Sequence, residues 1–408
     1  MALTLTLAGC ATAPYGEVTS VSNWQDGNVA TVQVAPPPTI APPPAPLEPV
    51  VPPPAPAPAR LPAPAPAPAE TWVPLSRWTT ANHLAAPSRL LAGASPTFAL
   101  RSAHGNLIVR PGSQSVYWQG LELRLGYAPQ LIDGQPCLHS LDLRKTVQPL
   151  FQPSPRLCLS DHPTLVLDPG HGGGDAGTKS VLGNHHEKEY TLDWARRLQA
   201  LLVTNGWQVF LTRTADVELA LSNRVTFTEE HKADLFLSLH FNSAAPNQTE
   251  AGLETYCLTP AGMPSNLKRS FADDQALTFP NNAFDSQNLL LALQVHRALL
   301  QVNGNHDRGI RRARFPGVLR NQQRPAILVE GGYLSNPHEA RLIADPAYRQ
   351  KLAEAVAHAL LLEPVSRPAE VARSQETEDR RPKTEGRTQK AEASIQRSEG
   401  QAPTTAIP

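Results

Sequence analysis

The chain has 408 residues, room for two or three domains of ~100–200 residues each, and carries 36 Lys and Arg against 36 Asp and Glu. That balance gives no electrostatic reason to expect nucleic acid as a partner. The four cysteines, Cys10, Cys137, Cys158 and Cys257, form no C-x-x-C pair, which argues against a thiolate zinc finger or a thioredoxin-type site. No apolar run approaches the ~20 residues of a transmembrane helix.

Residues 1–10 read MALTLTLAGC. The Leu7-Ala8-Gly9-Cys10 tetrad resembles the lipobox of bacterial lipoproteins. The resemblance implies a cleaved leader, acylation of Cys10 and a periplasmic location in a Gram-negative-type cell. Ala11 rather than Asp after the cysteine implies an outer-membrane anchor. This leader has no Lys or Arg and a short apolar run, so the true start codon is expected upstream. Residues 11–70 form a linker whose core, 35–69, is almost wholly Pro and Ala. Such a stretch cannot bury a core and favours polyproline II; at ~3.1 Å per residue it reaches on the order of 110 Å, a stiff tether.

Residues 71–160 regain globular composition. Short runs such as Trp72–Leu75, Leu107–Val109, Val116–Trp118 and Leu121–Leu125, punctuated by glycines, predict a small β-rich domain. It loosely resembles the copper-amine-oxidase N-terminal-like domains found beside bacterial hydrolases, without implying copper. A cell-wall or scaffold-binding role is expected. In an oxidising periplasm a Cys137–Cys158 disulfide is expected, and Cys257 reads as a buried strand residue.

Residues 161–364 alternate strand and helix patterns. Strands are expected at 164–168, 207–212, 233–239, 252–258 and 326–329, helices at 187–205, 219–232, 288–302 and 346–362. This alternation predicts an α/β fold with a mainly parallel sheet flanked by helices on both faces. In such sheets ligand-binding residues gather beyond the carboxyl ends of strands. His171 follows the first strand in a glycine loop, DPGHGGGD, and His240 and Glu330 end two apolar strands. Glu187 opens a helix, a position that the helix dipole alone also favours. His171, Glu187 and His240 supply a His₂Glu set of the kind that holds catalytic zinc, and Glu330 is placed as general base. His185 and His186 are rivals to Glu187. Asp168 reads as an orienting residue.

Four motifs in order, Asp168-Pro169-Gly170-His171-Gly172-Gly173, Glu187-Lys188-Glu189, Ser238-Leu239-His240-Phe241-Asn242 and Leu328 to Asn336, resemble the zinc-dependent N-acetylmuramoyl-L-alanine amidases. Arg308-Gly309-Ile310 and Val318-Leu319-Arg320 also fit. The resemblance covers about 200 residues, roughly half the chain. It implies a phosphorylase/hydrolase-like α/β fold, one Zn²⁺, and peptidoglycan as substrate, with the loop glycines as room for a bulky glycan to approach the metal. The bond cut lies between the lactyl group of N-acetylmuramic acid and L-alanine, during wall turnover or daughter-cell separation. Asn242 and Arg308 become candidates for orienting ligands or touching substrate, and a protein activator becomes conceivable. Without the resemblance, the residues yield only a metal-dependent hydrolase.

An insert, 259–287, departs from simpler members. Regulated members carry an inhibitory helix here; Leu267–Leu277 could form a short one bearing Asp273 and Asp274, although a groove wall is the plainer expectation. From residue 365 to the end the chain is charged and polar and is expected to be disordered. The rival readings are another zinc peptidase or deacetylase of the wall, which no HExxH supports, and a non-catalytic peptidoglycan-binding regulator.

Overall fold

The computed structural model describes residues 71–361 except 92–95, 152–158, 160–161, 268–272, 303, 305 and 315. Cys10, the linker, Cys158 and the tail therefore lie outside the described residues. Among the described residues no helix is long and apolar enough to cross a membrane.

The front segment begins with β1 (Trp72–Pro74) and α1 (Leu75–Ala81). A meander follows: β2 (Ser88–Leu91), β3 (Thr97–Ser102), β4 (Gly105–Val109), β5 (Ser115–Trp118) and β6 (Leu121–Arg124). The hairpin β7 (Gln130–Ile132) and β8 (Gln135–His139) pairs with β1 in a small sheet. Helical turns α2 (Ser140–Asp142) and α3 (Gln148–Phe151) flank a wider turn at 143–147. Helix was not expected here. Its signal is weak because the run is short and contains Pro149. Tertiary burial of Leu143, Val147, Leu150 and Phe151 stabilises it instead.

The second segment runs β9 (Thr164–Pro169), α4 (Glu187–Val203), β10 (Gln208–Leu211), α5 (Leu221–Glu230), β11 (Leu235–Asn242) and β12 (Leu253–Leu258). It continues with α6 (Asp285–Leu300), β13 (Asp307–Ala313), α7 (Gly317–Arg320), β14 (Ala326–Tyr333), α8 (Pro337–Ala344) and α9 (Pro346–Leu361). The expected strands and helices form, with ends shifted by a few residues. β13, α7 and α8 are additional. α8 is capped by Asn336, whose side-chain oxygen accepts from the backbone N–H of His338 at 2.9 Å and Glu339 at 3.2 Å.

All of these strands join one eleven-stranded sheet, ordered β10-β9-β11-β14-β12-β13-β6-β5-β4-β3-β2. The first four are mutually parallel, and β12 turns antiparallel to β14. The front meander thus continues the second segment's sheet through β6 beside β13, with Leu123 in register with Ile310. Asp307 fastens this seam: its carboxylate accepts from the Glu122 N–H at 2.8 Å and lies 3.0 Å from His296 Nε2.

One face of the sheet carries a single apolar core that spans both segments, from Leu100, Val116 and Leu123 to Leu167, Leu239 and Val329. Helices α4, α6 and α9 cover it. α4 contributes Tyr190, Trp194, Leu198 and Leu202, at helical spacing and worth ~1.5–3 kcal/mol each on burial. The other face is packed by a smaller cluster, Val166, Phe236, Leu328, Val318 and Leu319, with Phe227 of α5 against it. The chain leaves β9 toward β10 and leaves β11 toward β12, on opposite sides. Such a reversal opens a crevice beyond the strands' carboxyl ends, which is where His171 and His240 emerge.

Candidate metal centre

His171, Glu187 and His240 converge, with one ligand atom from each within 4.8 Å of the others. The Glu187 carboxylate sits between the two rings, Oε1 2.8 Å from His240 Nδ1 and Oε2 3.1 Å from His171 Nε2. Backbone N–H groups of Phe241 and Thr178 donate to the same two oxygens, each at 3.0 Å. Burial pushes the Glu187 pKa up, but hydrogen bonds from His171 and His240 outweigh it and hold the carboxyl far below its usual range. Its place at the first turn of α4 adds the favourable end of the helix dipole.

The donor set fits a metal. Asp175 Oδ1 lies 2.8 Å from His171 Nδ1, so both nitrogens of this ring face carboxylates. A neutral imidazole has one N–H to give. The second contact needs a cation, either a proton or a metal ion. Burial alone would lower the His171 pKa, yet Glu187 and Asp175 raise it. A tetrahedral ion with ~2.0–2.1 Å bonds keeps its ligand atoms about 3.4 Å apart; one ligand atom from each residue lies within 4.8 Å of the others, so a modest inward shift of the side chains brings them to that spacing.

The glycine loop makes room for these side chains rather than for a glycan, contrary to the expectation above. A Cβ on Gly170 would lie 2.2 Å from His240 Cε1; one on Gly177, at φ +66°, would lie 2.6 Å from His171 Cδ2. Gly172 and Gly173 are likewise closed off by Val217 O and the Glu218 backbone. His171 itself adopts φ +62°, a left-handed conformation that is costly for a side-chain-bearing residue unless its surroundings hold it. Two buried arginines do so. Arg213 donates to the carbonyls of Pro169 at 2.9 Å and Gly170 at 2.8 Å. Arg224 donates to the His171 carbonyl at 2.9 Å and to Asp168 at 2.6 Å.

Asp168 touches none of the three clustered residues. Its oxygens take Arg224, Thr212 Oγ1 at 2.6 Å and Ser238 Oγ at 2.8 Å. Burial raises its pKa, and the Arg224 charge with these hydrogen bonds brings it net below normal. It orients the loop through Arg224. His185 lies 2.6 Å from Glu189 at the surface, and neither His185 nor His186 joins the cluster.

Glu330 on β14 stands in register with His240 on β11 and with Glu254 on β12. It is 7% exposed and lines a cavity of ≈310 Å³ together with the three clustered residues, Asn242 and the apolar Leu221, Pro316 and Val318. Glu254 gathers its own partners: Arg308 Nε at 2.7 Å, Tyr333 OH at 2.8 Å, Asn242 Nδ2 at 3.2 Å and the Tyr256 hydroxyl. Burial raises the Glu254 pKa, but Arg311 and these donors lower it overall. Asn242 is therefore on the cavity wall, whereas Arg308 is bound to Glu254 behind it.

The described residues of 267–277 form no helix, in line with the plainer of the two readings in so far as no inhibitory helix is seen there. Asp273 instead accepts from Ser265 and pairs with the buried Arg314 at 2.5 Å. No described residue of the insert lines the cavity. Cys137 is buried on β8; its expected partner Cys158 lies outside the described residues. Cys257 is buried in β12, as expected. Residues that sequence reasoning missed are Asp175, Arg213, Arg224 and Glu254. Only Asp175, at the end of the HGGGD loop, offered a local cue.

Residues 165–361 match the family model described as N-acetylmuramoyl-L-alanine amidase. The N-acetylmuramoyl-L-alanine amidase AmiA of Salmonella typhimurium is 30% identical over 218 residues, covering 48% of this chain and 74% of that protein. AmiC of Escherichia coli O6:H1 is 31% identical over 240 residues, 53% of this chain and 56% of its own. Among solved structures, an N-acetylmuramoyl-L-alanine amidase from Clostridium difficile 630 is 32% identical, with a TM-score of 0.41, covering 50% of this chain and 96% of that one.

Proposed function

The chain belongs to the N-acetylmuramoyl-L-alanine amidase family, and from that premise we propose that it is a zinc enzyme of the cell wall. Its reaction is hydrolysis of the amide between N-acetylmuramic acid and L-alanine in peptidoglycan, outside the cytoplasmic membrane. The observation that carries this reading is the convergence of His171, Glu187 and His240 with Glu330 on the next strand, in register with His240.

His171, Glu187 and His240 would hold the ion; its N/O donor set suits zinc, which when bound polarises the substrate carbonyl and acidifies a water. Asp175 holds the Nδ1 side of the His171 ring, which leaves Nε2 directed at Glu187 and available as the ligand atom. Glu330 takes a proton from the attacking water as the new C–O bond forms. It then gives that proton to the alanine nitrogen as the C–N bond breaks. Leu221, Pro316 and Val318 give the cavity an apolar wall on one side.

The test is digestion of purified sacculi. Free stem peptides beginning with L-alanine are expected, lost on chelation, restored by zinc and absent with Glu330→Gln, which keeps its zinc. Release of sugar-linked peptides only, or full activity of Glu330→Gln, would overturn the assignment. The same reading extends to a lipid anchor at Cys10 in the outer membrane. Acyl labelling of wild type but not of Cys10→Ser in cells tests it.

A further inference from the structure

We propose that the outward face of β3–β6 is a docking surface for the peptidoglycan strand whose amide is cut at the metal centre. This rests on the reading just given and assigns a role to the front segment, which lies outside the matched family region.

The argument is one of register. Residues paired across neighbouring strands point to the same face of a sheet. His240 pairs with Glu330, and Glu330 with Glu254. Beyond β13, Ile310 pairs with Leu123, which sets Gly309 beside Glu122. The missing Cβ of Gly309 indeed points at the Glu122 side chain, 3.1 Å away. Glu122 pairs with Tyr117, and Tyr117 with Ile108. Tyr117 therefore shares a row and a face with Glu330, four strands along, roughly 19 Å at ~4.8 Å per strand.

The opposite face of these strands is core: Leu107, Val116, Trp118 and Leu123 are buried. On the face that continues from the catalytic row, Glu254, Gly309 and Ala99 are buried, and exposure begins at Tyr117 and toward the ends of β3 and β4. Tyr117 is 41% exposed, and Arg101 and Asn106, paired across β3 and β4, are exposed toward the edge from which the metal site opens. A lone exposed tyrosine means little. Here it stands in line with the reacting centre, at a distance that only a polymer reaches from the same site.

The chemistry suits a glycan that carries peptides. A tyrosine ring offers an apolar face to the C–H side of a sugar and a hydroxyl to its edge. Arg101 matches the carboxylates of uncut stem peptides. Glu122, the acidic residue beside Tyr117, is already paired with Arg124 at 2.9 Å.

Full-length Glu330→Gln protein, which binds without cutting, is cosedimented with purified sacculi, alone and with Tyr117→Ala plus Arg101→Ala. Circular dichroism checks that both fold. A Kd weakened about tenfold is expected, the loss of one well-placed anchor. In the active background, KM for sacculi should rise similarly with kcat kept. Binding and KM unchanged within about twofold overturn the surface and leave this face to a protein partner. If wild type releases no stem peptide while sacculus binding still depends on Tyr117 and Arg101, the surface stands and the amidase reading falls.

Discussion

Arg224→Met should be among the most damaging single changes that leave the metal ligands intact. The Arg224 and Asp168 side chains are 4% and 1% exposed and 2.6 Å apart. Removing one partner of such a pair leaves a charge buried without compensation, which costs ~3–5 kcal/mol. Arg224 also satisfies the carbonyls of Pro169 and His171, so the estimate belongs at the upper end. At ~2–4 °C per kcal/mol, the midpoint of thermal unfolding should fall by on the order of 10 °C. The pH dependence should invert. In wild type the Asp168 pKa is depressed, so its contribution is full above the ordinary carboxylate range and is lost as pH falls below it. Without Arg224, burial dominates and raises that pKa, so stability should decline as pH rises through the new value. Adding Asp168→Asn removes the stranded charge while Thr212 and Ser238 keep a partner. The double variant should therefore lose less than the sum of the single losses, by about 2 kcal/mol. Urea unfolding of the four proteins between acid and neutral pH measures all of this. A loss under ~1 kcal/mol for Arg224→Met, or strict additivity, would refute the role given to the pair.

Asp175→Asn should weaken metal affinity by about 10–100-fold, because His171 loses the carboxylate that orients it; chelator competition reads this directly. Gly177→Ala should abolish metal binding, since its Cβ would lie 2.6 Å from the His171 ring in a left-handed backbone, and titration with zinc checks it. Asp142 accepts from the N–H groups of Gly126 and Tyr127, and burial pushes its pKa up to about 6. The native state thus holds a proton that the unfolded state has released, so this residue's contribution to stability falls as pH rises from about 4 to about 6. Asp142→Asn should flatten that slope in denaturant titrations.

The centre was legible because its chemistry demands residue types that are conspicuous where they fall. His240 and Glu330 end apolar strands, where a lone polar group is expensive unless it has a task. His171 and Glu187 flank a loop too rich in glycine to be packing. What holds these residues was not legible. Arg213 and Arg224 sit in segments that read as ordinary solvated charge, and only tertiary structure turns them inward onto Asp168 and the carbonyls of 169–171. β13 was missed for the same reason. Its sequence, DRGIRRA, looks like a surface loop. Yet Arg308 and Arg312 find partners 54 and 167 residues away in Glu254 and the Lys145 carbonyl.

That missed strand changes how the molecule is divided. Read by composition, the front segment is a separate small domain ending near residue 160. In the structure, β13 has β12 on one side and β6 on the other, so the same strand closes the second segment's sheet and opens the front meander. The seam is polar as well as apolar: Asp307 ties the β6 backbone to a buried His296 on α6, while Arg312 reaches back to the 143–147 turn. A shared core lies beneath it. Cutting the chain near 160 would expose the edge of β13 and the apolar face of α6 together, and unpaired edges of that kind invite aggregation. The fragment 161–408 should therefore be less soluble and less stable than the whole chain even though it contains every residue of the metal centre. If that fragment instead unfolds at the same denaturant midpoint as the full chain, the seam contributes nothing and the front segment is a separable module.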